Sequence, residues 1–141
     1  MKLRRKRAAV GLKSGRARAA AVVEFAVVLP LLLTILFGII EFGYAFMVRQ
    51  TLQHAAREGG RLASLPTSNA PYGNVIGRVN AIMEPTGLTS FEVAVSQPGA
   101  CKEMVTVSVP YTDVSLTGGF FGMLGTELTG SCIMRKEGCT P

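Results

Sequence analysis

The chain has 141 residues and a formal charge of +6 from 15 basic and 9 acidic side chains, with a mean hydropathy of +0.35. That length leaves room for one modest domain and excludes large multi-step catalytic architectures. The charge is polarised: Lys2, Arg4, Arg5, Lys6, Arg7, Lys13, Arg16 and Arg18 precede the first acid, Glu24, and the remainder is slightly acidic.

A short basic arm with neither a folded basic face nor interleaved aromatic residues gives nucleic acid little to bind, so none is expected as a partner. The arm, residues 1–19, runs directly into an apolar segment, as the cytoplasmic flank of a membrane span does. Phe25–Ile40 holds sixteen residues without a formal charge. Extended to Ala19–Val48, the apolar stretch is interrupted only by Glu24 and Glu41. At about 1.5 Å per residue it exceeds a hydrocarbon core of roughly 30 Å. The expectation is one transmembrane helix in contact with the lipid bilayer, with the N-terminus in the cytoplasm and the remainder outside. A cleaved signal peptide is the rival reading, since Gly43-Tyr44-Ala45 offers a small-x-small site. Helical patterning that continues past Ala45 speaks against it.

From Arg49 to Leu65 the apolar and small residues Leu52, Ala55, Ala56, Gly59, Leu62 and Ala63 recur at three-to-four-residue spacing. This predicts an amphipathic continuation of the same helix, residues 20–65 in all, closed by Pro66. Its stripe of small residues calls for a partner surface, either the protein's own C-terminal part or neighbouring copies. Pro30 cannot donate to the carbonyl of Ala26, so a kink is expected there. A carboxylate in the span, as at Glu24, is costly toward the bilayer centre and ordinarily has a partner. Glu41 is read as a solvated residue at the outer membrane surface.

Residues 66–141 read as a small extracytoplasmic α+β domain. After the turn-rich TSNAPYGN, helical spacing of Val75, Ile76, Val79, Ile82 and Met83 predicts a short helix. Asn74 is its expected N-cap and Pro85-Thr86-Gly87 its stop. Alternating segments at Phe91–Gln97 and Met104–Val109, and a third run at Leu128–Met134, predict an antiparallel sheet of about three strands with the helix on one face. The intervening Gly-rich loop carries Phe120, Phe121, Met123 and Leu124, either a lid over the sheet or an exposed contact.

Three cysteines, Cys101, Cys132 and Cys139, all fall in this domain, where an oxidising compartment permits disulfides. A register with Ser108 opposite Cys132 sets Cys101 opposite Cys139 and makes that pair the expected disulfide. Cys132–Cys139 is the alternative, and one thiol is left over in either case. The spacing is not that of a structural zinc site. Nor is there a nucleophile–base pair or a phosphate-binding glycine loop, so no metal, cofactor or enzymatic activity is expected.

The segment RARAAAVVEFAVVLPLLLTILFGIIEFGYAFMVRQTLQHAAREGGRLAS resembles the N-terminal signature of the TadE-like family, pseudopilin-type proteins of tight-adherence (Flp-type) pili. The resemblance rests on a small-residue run, a Val-Glu-Phe step, Leu-Pro inside the span, a Gly-Ile-Ile-Glu-Phe-Gly exit and Ala-Ala-Arg-Glu-Gly beyond it. It implies processing by a prepilin peptidase between Ala19 and Ala20, with Ala19 standing where family members commonly carry glycine. A new amino group on Ala20 would then pair with Glu24 of a neighbouring subunit. The implied partners are other pilin or pseudopilin subunits and the inner-membrane pilus assembly machinery. The implied role is that of a minor pseudopilin or assembly component in pilus-mediated cell adhesion, since major pilins of the family are very short. The alternative function is a membrane-tethered extracytoplasmic binding domain unrelated to pili.

Overall fold

Residues 12–68, 71–116, 118 and 127–139 are described by a computed structural model. The order of elements is α1 (Leu12–Ala63), α2 (Gly73–Met83), a 3-10 turn (Glu84–Thr86), β1 (Glu92–Gly99), β2 (Lys102–Pro110), α3 (Tyr111–Val114) and β3 (Glu127–Arg135). The fold class is α+β. Two compact units divide the chain, Met1–Gly38 and Ile39–Pro141.

In the first unit α1 is helical from Leu12 and exposes its apolar side chains, among them Val22, Phe25, Leu31, Ile35 and Phe37. Arg18–Ala63 is long and apolar enough to cross a membrane, and unburied apolar side chains on every side of a helix are what lipid, not water, accommodates. The helical assignment continues through Pro30, where the Thr34 hydroxyl donates to the Pro30 carbonyl at 2.8 Å.

The second unit is built on the C-terminal part of the same helix. Ala45, Val48, Leu52, Ala55, Ala56, Gly59, Gly60 and Ala63 form a buried stripe at helical spacing. The partner surface for the small residues is therefore the protein's own sheet and α2. Gly59 lies where three elements meet, since a Cβ there would sit 2.9 Å from Val79 Cγ2 on α2 and 3.1 Å from Val105 Cγ1 on β2.

The sheet has the order β1-β2-β3 and is antiparallel throughout. Its inner face carries Val93 and Val95 from β1, Glu103, Val105, Val107 and Val109 from β2, and Leu128, Gly130, Cys132 and Met134 from β3. The expected register is corrected. Ser108 stands opposite Thr129, and Cys132 pairs with Val105. Placing Cys132 opposite Ser108 would have turned Leu128, Gly130 and Cys132 onto the outer face, because a strand displaced by an odd number of residues inverts its faces. Burial of the valine row selects the observed pairing.

Cys101 and Cys139 are nonetheless disulfide-bonded, and Cys132 is a free thiol. Cys101 lies level with Lys136, whose backbone N–H donates to the Cys101 carbonyl at 2.8 Å. Gly138, at φ 74°, turns the chain back so that Cys139 reaches it. A link across a sequence separation of 38 restricts the unfolded chain and is worth about 3–4 kcal/mol in the loop-entropy account.

α2 begins differently from expectation. Its N-cap is Tyr72, at φ 56°, and no side chain caps it. Asn74 lies inside the first turn, and its amide donates to Ser68 Oγ at 2.8 Å. A nearby serine hydroxyl drew the side chain away from the helix end. The stop is a 3-10 turn closed by Gly87 at φ 72°.

Candidate functional site: a buried carboxylate at the foot of the domain

α1 and β3 run side by side in the same direction. The Gln53 amide donates to the Ser131 carbonyl at 2.8 Å, Gly60 packs against Cys132 and Met134, and the Glu137 N–H donates to the Ser64 carbonyl at 2.7 Å. The spacings are comparable, since the eleven helical residues from Gln53 to Ser64 rise about 17 Å and the six residues from Ser131 to Glu137 span at most about 20 Å when extended. At the other end, Phe42, Ala45, Phe46 and Arg49 of α1 border a small concavity with Leu128, the start of β3.

Immediately before Phe42 on α1 is Glu41, only 3% exposed. The expectation of a solvated carboxylate is therefore overturned. Tyr111 Oη donates to Glu41 Oε1 at 3.0 Å, and the Leu116 backbone N–H donates to Glu41 Oε2 at 3.0 Å. A buried carboxylate persists only when its oxygens are satisfied, and α3 with the residues after it supplies those donors. Pro110 ends β2 and starts the short helix that carries Tyr111 inward. Burial, followed by the hydrogen bond and negative charge of Glu41, raises the Tyr111 hydroxyl above its ordinary pKa of 10.0. The folded state thus holds the tyrosine proton more tightly than the unfolded chain. Its contribution is complete below pH 10 and is lost as pH rises through the folded value. Alkaline titration of stability should therefore fall more steeply above pH 10 for the native chain than for Tyr111→Phe, as read by urea midpoints.

The opposite end of β2 carries a second buried acid that sequence reading passed over. Glu103, 1% exposed, accepts hydrogen bonds from Tyr72 Oη at 3.2 Å and Gln97 Nε2 at 2.9 Å and pairs with Lys136 Nζ at 3.5 Å. Lys136 also donates to the Ser68 carbonyl at 2.9 Å. The cluster ties the α1–α2 connection, the β1–β2 hairpin and the end of β3 together. Its signal was present, because Glu103 shares the inward parity of Val105, Val107 and Val109.

The other residues singled out from sequence are not brought together. Ala19, Ala20 and Glu24 are exposed on α1. Residues 119–126, which include Phe120, Phe121, Met123 and Leu124, lie outside the described residues, as do the basic residues up to Arg7. His54 is exposed, and among the described residues no three of His, Cys, Asp and Glu come close enough to hold a metal ion.

Among the described residues, one long helix, apolar in its first half and packed against a three-stranded sheet in its second, fits a single-pass membrane protein with an α+β domain. Residues 19–61 match the family model described as TadE-like protein, the family that the N-terminal sequence resembles. The match falls entirely on α1 and leaves α2 and the sheet outside it. No curated protein and no solved structure matches the chain significantly.

Proposed function

We propose that the chain is a minor pseudopilin or assembly component of a tight-adherence pilus. In this reading the N-terminus is cytoplasmic, one span crosses the inner membrane, and the α+β domain lies outside. The TadE-like match over residues 19–61 carries the proposal. The Cys101–Cys139 disulfide supports a domain outside the cytoplasm, where such bonds persist. The size of the unit Ile39–Pro141 favours a minor component over the very short major filament subunit. No catalytic role is assigned.

Exposure of Ala19 and Ala20 supports access by a prepilin peptidase, and exposure of Glu24 leaves its carboxylate available to a neighbouring subunit. Intact-mass measurement of the protein recovered from pilus-producing cells tests the reading. The expected chain begins at Ala20. One beginning at Phe46 means simple secretion, and an unprocessed chain favours a tethered binding domain. A Glu24→Gln variant should insert into the membrane normally yet be depleted at least several-fold from the assembled fraction, as loss of a buried charge pairing of a few kcal/mol requires.

A further inference from the structure

We infer that the end of the domain formed by α3, Leu116 and the Phe46 turn of α1 is seated in the outer interface of the bilayer, with Glu41 shielded at the acyl boundary. The inference rests on the single-span reading and goes beyond it, because it assigns a lipid-contact surface to the folded domain.

Three observations lead there. The first is the depth of Glu41 along the helix. The sixteen uncharged residues Phe25–Ile40 rise only about 24 Å as a helix, whereas the hydrocarbon core is roughly 30 Å. With Glu24 at one boundary, the other falls about four residues past Ile40, beyond Glu41. A carboxylate there has little water, and the structure gives it protein donors instead, Tyr111 Oη and the Leu116 N–H. Those donors must lie at its depth.

The second is the surface around them. Large apolar side chains on the domain are exposed at Phe46 (60%), Met47 (56%) and Leu116 (60%), all near the Pro110–Glu127 end of the sheet, and they continue the apolar run of the span. The third is the placement of charge. Asp113 is exposed on α3, and Arg49 is the first exposed cation after Glu24. Both suit the headgroup layer, with Leu116 and Phe46 dipping below it. Ile133 provides contrast: it is similarly exposed, at 57%, but stands on the outer face of β3 opposite Met104, near the disulfide end.

The chain has no tryptophan, so single-tryptophan variants report depth directly. The full chain carrying Phe37→Trp, Phe46→Trp, Leu116→Trp or Ile133→Trp is reconstituted in phosphatidylcholine vesicles whose acyl chains are brominated near the headgroup. Emission from Phe37→Trp, Phe46→Trp and Leu116→Trp should fall by about half relative to unbrominated vesicles, as expected for side chains roughly 5–10 Å into the interface or deeper. Ile133→Trp should be unchanged. Bright emission from both Phe46→Trp and Leu116→Trp with Phe37→Trp quenched overturns the seat and leaves the span intact. Equal quenching of Ile133→Trp also overturns it, because contact would then be unselective. An unquenched Phe37→Trp removes the span and the seat together.

Discussion

Replacing Gly130 by alanine should lower the stability of the domain by about 3 kcal/mol, at the upper end of overpacking penalties. A Cβ at this position would lie 2.5 Å from the carbonyl carbon of Leu52, 2.6 Å from its oxygen and 2.6 Å from the Gln53 nitrogen. All three are backbone atoms inside α1, so no rotamer change relieves the clash and the sheet must move off the helix. Gly77, in α2, has nothing within 4 Å of its would-be Cβ. Its alanine variant should be more stable by about 0.5–1 kcal/mol from helix propensity alone. Alkylation of the free, half-buried Cys132 across a urea series reads both effects. A Gly130→Ala midpoint equal to that of the native chain would contradict the close approach of β3 to α1.

The second large effect is expected at Glu41. Glu41→Ala leaves the buried Tyr111 hydroxyl and the Leu116 amide without the acceptor they use. Two hydrogen bonds to a charged group, each worth roughly 1.5–3 kcal/mol, place the loss at about 3 kcal/mol or more. Hydrogen exchange at the Leu116 amide should accelerate by at least about a hundredfold, the equivalent of two factors of 1.4 kcal/mol. Glu41→Gln keeps one carbonyl oxygen at the site and should fall between the two. If exchange at Leu116 in Glu41→Ala matched the native rate, the carboxylate would not be what holds the end of α3 in place.

Much of the fold was legible because it rests on local periodicity. The apolar run of α1, the Val75–Val79–Met83 face of α2 and the alternation of β1 and β2 each declare themselves within about ten residues. Glu41 was misread because its donors lie 70 and 75 positions away, and nothing near it in sequence announces them. The β2–β3 register failed for a related reason. It was argued from cysteine placement, whereas the pairing follows from matching Val105, Val107 and Val109 to Cys132, Gly130 and Leu128 on one buried face. Asn74 fits the composition of a cap but found Ser68 instead. Two clues were readable and went unused: Glu103 on the apolar parity of β2, and Gly130 inside β3, where a strand glycine marks close backbone approach.

The dual use of α1 also sets the order in which this molecule can come into being. Its second half is synthesised well before much of the surface that covers its small-residue stripe, which comes from β3, more than sixty residues further on. The Gln53–Ser131 bond spans 78 residues, so this contact closes only after β3 has been synthesised and, in the proposed topology, carried across the membrane. Such long-range closure is intrinsically slow and leaves apolar surface uncovered in the interval. The bilayer can shelter the first half of the helix during that time. The second half must wait in water, and the alanines and glycines that make up most of the stripe, with Leu52 its one fully buried leucine, keep that waiting state from being strongly adhesive.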